Sequence, residues 1–170
     1  SWWTEEYYSK QWVMHNYAPP EKVEEETPPD AFIESTDKNL QVNLCPYIEQ
    51  NPETTFYIFF PPYSILYWND VKQENHMQAT MREYAYIADT LLAYDNVRVF
   101  YFPNREEIVT DLNNYADYTH YHARFNRFMT ECFANGTCEV KSAEEMEQAL
   151  GETRDMIARF DFEELFSEEY

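Results

Sequence analysis

Glycine is nearly absent: Gly136 and Gly151 are the only two in 170 residues. Phosphate-cradling loops, dinucleotide fingerprints and the glycine-flanked serine elbow all need clustered glycine, so none is present and no cofactor is expected. Basic residues are scarce, with 12 Lys and Arg against 32 Asp and Glu, a formal net charge of −20. A field of that sign repels phosphate backbones and argues against nucleic acid as a partner. No apolar run approaches the roughly 18 residues of a membrane helix, so no transmembrane segment is expected. Three cysteines, Cys45, Cys132 and Cys138, are too few for a disulfide framework or a zinc site. The chain opens on Ser1-Trp2-Trp3 without Met, basic region or apolar leader, which reads as a cut in a longer polypeptide.

What the chain has in abundance is aromatic surface: 4 Trp, 15 Tyr and 12 Phe, with 44% of residues hydrophobic. That suffices for a core and sets the chain apart from acidic disordered tails, which lack aromatics. Residues 1–29 read as an aromatic and acidic segment, 1–17, that fits either a helix or an arm, followed by a proline-bounded linker, 21–29. Residues 30–170 read as one α/β domain. Within it, Asn43, Leu44 and Pro46 fit a helix start that Asn51-Pro52 stops. Residues 55–60 form a β-branched and aromatic run without polar alternation, as in a strand buried on both faces.

Met77, Met81, Tyr84, Ala88 and Leu91 recur at helical spacing, predicting a helix over most of 74–94. Residues 97–102 read as a second strand. Strand, 36 residues with a helix, strand is the form of a βαβ unit with parallel strands. Pro61 and Pro103 then mark neighbouring carboxyl ends, the edge where open α/β sheets carry sites. A helix is expected over about 122–133, and another after the capping box of Ser142 and Glu145.

Asp117 and His120 lie just beyond the second strand, three residues apart. At that spacing a carboxylate can accept the Nδ1 hydrogen of an imidazole, fix its tautomer and stabilise the imidazolium, as a Ser-His-Asp relay requires. The spacing alone favours the plainer alternative, in which Asp117 caps the following helix and His120 packs beneath it. A metal held by Asp117, His120 and His122 would need an extended backbone where a helix begins, so no metal is expected. Cys132 and Cys138 flank the Asn135-Gly136 turn, and both a small disulfide loop and two unpaired thiols fit. Asn135-Gly136-Thr137 also matches the N-glycosylation acceptor, relevant only in a eukaryotic secretory protein.

The run Phe59-Phe60-Pro61-Pro62-Tyr63-Ser64-Ile65-Leu66-Tyr67-Trp68, followed some fifty residues later by Asp111-Leu112-Asn113-Asn114-Tyr115-Ala116-Asp117-Tyr118-Thr119-His120-Tyr121, resembles the C-terminal half of SGNH-like (GDSL-type) hydrolases and acyltransferases. The likeness is to bacterial cell-surface members, such as those of teichoic-acid D-alanyl transfer and polysaccharide O-acetylation. It implies a partial flavodoxin-like parallel sheet flanked by helices, helix-rich because the nucleophile half is missing. It also implies Asp117 and His120 as catalytic acid and base, and an extracytoplasmic location, anchored through a missing N-terminal segment. Tyr63, Ser64, Tyr67 and Tyr121 would bind substrate, with Tyr63 and Tyr67 as stacking walls for a sugar ring and Ser64 in a binding loop; Trp68 reads rather as core.

The family's nucleophilic serine sits next to a glycine after an early strand. Ser1, Ser9, Ser35, Ser64, Ser142 and Ser167 have no such setting. The expected function is therefore the Asp-His half of a serine acyl-ester hydrolase or acyltransferase acting on cell-envelope glycans, with the missing N-terminal half as partner. The alternative is a non-catalytic, acidic, Tyr-rich surface module that binds carbohydrate or protein.

Overall fold

A computed structural model describes residues 4–167. Its centre is a three-stranded mixed sheet in the order β1-β2-β3, with β1 at Phe56–Phe60, β2 at Val97–Tyr101 and β3 at Glu139–Val140. β1 and β2 run parallel, with Phe56 opposite Val97 and Phe60 opposite Tyr101. That is the pairing expected from the 36-residue connection. The sheet as a whole is not parallel, because β3 pairs antiparallel to β2 through Val99–Val140 and Phe100–Glu139.

The nine α-helices of the described residues are α1 (Lys10–Asn16), α2 (Ile33–Asn43), α3 (Cys45–Gln50), α4 (Ile65–Gln73), α5 (Met77–Leu92), α6 (Glu106–Val109), α7 (Arg124–Asn135), α8 (Ala143–Arg159) and α9 (Phe162–Ser167). None of them is long and apolar enough to cross a membrane. The crossover from β1 to β2 holds two helices, not the one expected over 74–94. Asn75 adopts φ 54, the left-handed conformation that breaks a helix and that Asn tolerates. α5 buries the predicted stripe of Met81, Tyr84, Ala88 and Leu91. α8 starts on Ser142, whose side chain accepts the Glu145 N–H, while Glu145 reaches back to the Lys141 N–H at 2.7 Å.

Alternation along β2 divides the interior. Val97, Val99 and Tyr101 join the main core with Trp68, Ala88, Leu91 and Leu150, whereas Phe100 and Phe102 pack on Met129 and Cys132 of α7. β2 is thus buried on both faces. β1 is not: Phe56, Ile58 and Phe60 turn to the main core, while Tyr57 and Phe59 stay 44% and 40% exposed. The expectation of full burial fails at the sheet edge: Tyr57 and Phe59 meet Phe100 and Phe102 beside them and Phe133 near the end of α7, and these leave the outer rings partly open.

Residues 4–17 carry α1 and lie against the domain. Val13 enters the main core, Lys10 N–H donates to Asn113, and Tyr17 OH donates to Asp70. Residues 18–29 then run over the surface, tied by Val23 N–H to Gln73 O and Thr27 N–H to Asn75 O. α7 closes on Gly136 at φ 77, with its N–H on Cys132 O at 2.8 Å. The chain thereby reverses into β3 and brings Cys132 and Cys138 together, their sulfurs 3.9 Å apart and unbonded.

Candidate functional site

Residues 115–121 form a tight hairpin-like loop beside the carboxyl end of β1. Tyr115 and Tyr121 pair as an isolated bridge, and the Ala116 N–H donates to His120 O at 2.9 Å. Three further bonds clamp this loop to the segment after β1. The buried Tyr115 hydroxyl donates to Pro62 O at 2.6 Å, and Ser64 donates both its N–H, at 3.2 Å, and its hydroxyl, at 2.6 Å, to Tyr118 O. The loop is therefore held across more than fifty residues of sequence by two buried donors, Tyr115 and Ser64.

Asp117 and His120 sit at the tip of that loop. One oxygen of Asp117, Oδ1, accepts the backbone N–H of Thr119 at 2.8 Å and of His120 at 2.7 Å. The other, Oδ2, lies 2.6 Å from His120 Nδ1. Capping and ring pairing, alternatives in the sequence, are thus met by one carboxylate, and what it caps is a turn that precedes α7. Partial burial raises the Asp117 pKa, but the two backbone donors and the imidazole outweigh it, and the carboxyl titrates below its ordinary value. A carboxylate only accepts, so the neutral imidazole carries its hydrogen on Nδ1 and its basic lone pair on Nε2.

The His120 ring is 66% exposed and stands over a cleft of about 540 Å³, walled by Phe59, Pro61, Tyr63 and Tyr121 with Asn126 at its rim. The site is thereby at the carboxyl end of a parallel strand, where the βαβ reading places it. Four of the six expected site residues, Asp117, His120, Tyr63 and Tyr121, meet here. Tyr67 lies behind the wall, its ring 4.8 Å from that of Tyr63 and its hydroxyl 3.4 Å from Tyr84 OH, and burial raises its phenol pKa. Ser64 does not reach the cleft. It is fully buried, caps α4 by accepting the Leu66 N–H, and braces Tyr118. Trp68 is core.

Phe59 and Asn126 were not singled out in the sequence. Phe59 hid in a run that reads as wholly buried; Asn126 carries no signal of its own. His122 turns from His120: its Nε2 lies 3.2 Å from Glu5, its Nδ1 accepts the Arg124 N–H, and its ring packs on Tyr8. Among the described residues no group of three His, Cys, Asp or Glu is placed to hold a metal. The described serines all serve local structure. Ser9, Ser64 and Ser142 cap helices, Ser35 donates to Phe32 O, and Ser167 donates to Glu164 O. Ser1 lies outside the described residues. No family model, curated protein or solved structure matches the chain.

Proposed function

We propose that Asp117 and His120 are the base half of a Ser-His-Asp relay for acyl-ester hydrolysis or acyl transfer on a cell-envelope glycan, in an SGNH-type, flavodoxin-like domain outside the cytoplasm. The nucleophilic serine comes from outside residues 4–167. The observation that carries this reading is the 2.6 Å carboxylate–Nδ1 contact in a clamped turn, with the ring over an aromatic cleft. In the reaction, Nε2 takes the proton of the incoming serine hydroxyl as its oxygen attacks the ester carbonyl. Asp117 stabilises the imidazolium, which then returns the proton to the departing alkoxide. Water or an acceptor hydroxyl, deprotonated in the same way, releases the acyl group. Phe59, Tyr63 and Tyr121 offer faces on which a sugar ring can stack.

The engagement of every described serine gives specific support to a second reading, a carbohydrate-binding module without turnover. One assay separates the two. The 170-residue chain should release no alcohol from short-chain activated esters above background, and Ser64→Ala should not change that. The longest polypeptide that carries these residues should turn them over, with His120→Gln lowering kcat by about 10³-fold or more and KM little changed. Turnover indifferent to His120→Gln overturns the relay; glycan-induced shifts of Tyr63 and His120 resonances without any turnover support the binding module instead.

A further inference from the structure

We propose that Cys132 and Cys138 are a reversible dithiol–disulfide pair, oxidised by exchange with a small-molecule disulfide of the glutathione type. The sulfurs face each other at 3.9 Å, and both backbones are fixed without help from any bond between them. On one side Gly136 N–H holds Cys132 O, and Arg98 donates to Phe133 O in the same last turn of α7. On the other, Tyr101 N–H donates to Cys138 O at 3.0 Å, and Arg98 grips the Glu139 carboxylate through two bonds of 2.7 and 2.8 Å. What remains is for the sulfurs to close from 3.9 Å to bonding distance. Cys138 itself sits at φ 65, a left-handed conformation that is strained for a non-glycine residue.

Access to the two thiols is unequal, which sets the order of steps. Cys132 is 2% exposed among Phe100, Phe102 and Met129, and burial with the neighbouring Cys138 sulfur pushes its thiol up to about 11. Cys138 lines a separate open cleft of about 390 Å³, where the cations Arg105 and Lys141 stand among the carboxylates of Glu139, Glu145 and Glu152, so a small disulfide can reach its sulfur. Cys138 thiolate attacks the small disulfide, forming a mixed disulfide and expelling one thiolate. That thiolate takes the Cys132 proton, and the Cys132 thiolate then attacks the Cys138 sulfur and expels the second small thiolate, which takes up the proton that Cys138 released to solvent. Two protein thiols are oxidised and one small disulfide is reduced to two thiols. Cys45, buried in α3 and on another part of the fold, is the internal control.

The test equilibrates the native 170-residue chain with reduced and oxidised glutathione at rising oxidised fraction, traps free thiols, and maps the peptides by mass spectrometry. The expected product is a Cys132–Cys138 link with loss of two hydrogens, Cys45 remaining alkylatable after unfolding. Oxidation should raise Tm by about 5 °C, since the closed loop restricts the unfolded chain. Cys138→Ser and Cys138→Gly should both abolish the link and the Tm rise, the glycine variant without strain at φ 65. Two alkylatable thiols at the most oxidising mixture, or a link accompanied by a lower Tm, would overturn the proposal.

Discussion

At Asp117 one carboxylate serves two partners, and the chemistry of its substitutes separates them. Asparagine keeps an Oδ1 to accept the Thr119 and His120 N–H groups, so Asp117→Asn should cost less than about 1 kcal/mol. Alanine removes both acceptors and should cost about 1–2 kcal/mol in urea denaturation. The acid dependence follows from the lowered native pKa. Binding to the ionised form favours folding, so this contribution is complete above the unfolded value near ~3.9 and is lost as pH falls through the native value. The wild type should therefore lose stability more steeply than Asp117→Asn as pH falls below about 4. Glu139, held below its ordinary range chiefly by its hydrogen bonds from Arg98, adds a loss of the same sign in both proteins.

Among the elements, the clamp between the loop after β1 and the 115–121 hairpin determines where the imidazole stands. Ser64→Ala removes a helix cap and a bond to Tyr118 O together, and should cost about 1–2 kcal/mol with faster amide exchange at Thr119 and His120. Tyr115→Phe strands a carbonyl of the buried Pro62 and should cost about 1–3 kcal/mol. Unchanged denaturation midpoints in both variants would show that the clamp does not hold the loop. This clamp was invisible in the sequence, because its partners lie 53 and 54 residues apart and nothing local marks them. The parallel strands and α5 were legible, since chain length and a helical apolar stripe constrain them directly. α4 was not: Ser64 caps it, but its first turn, Ile65-Leu66-Tyr67-Trp68, is apolar throughout and shows no helical period. The exposure of Tyr57 and Phe59 was also hidden, because what covers a strand depends on where α7 ends and not on the strand's own residues. Asp117 and His120 were legible as a pair of residues, but only the fold decides between a helix cap and a ring partner.

Across the whole molecule, 12 Lys and Arg face 32 Asp and Glu, and the surplus negative charge repels itself more strongly in the compact state. Raising salt from about 0.01 M to about 0.15 M shortens the screening length from ~30 to ~8 Å, and should raise Tm. A fall in Tm would mean that the surface ion pairs outweigh the repulsion. That same field leaves the Asp117–His120 contact largely intact, because it is short and partly covered. The measurement that bears most directly on the site is nitrogen-15 spectroscopy of the His120 ring at a pH where it is neutral. The relay predicts the hydrogen on Nδ1 in the wild type. It predicts a switch to Nε2 in Asp117→Asn, whose amide keeps its oxygen on the backbone donors and turns its NH₂ toward Nδ1. A wild-type ring with its hydrogen on Nε2, unchanged by Asp117→Asn, would contradict the carboxylate–imidazole pair on which the proposed chemistry rests.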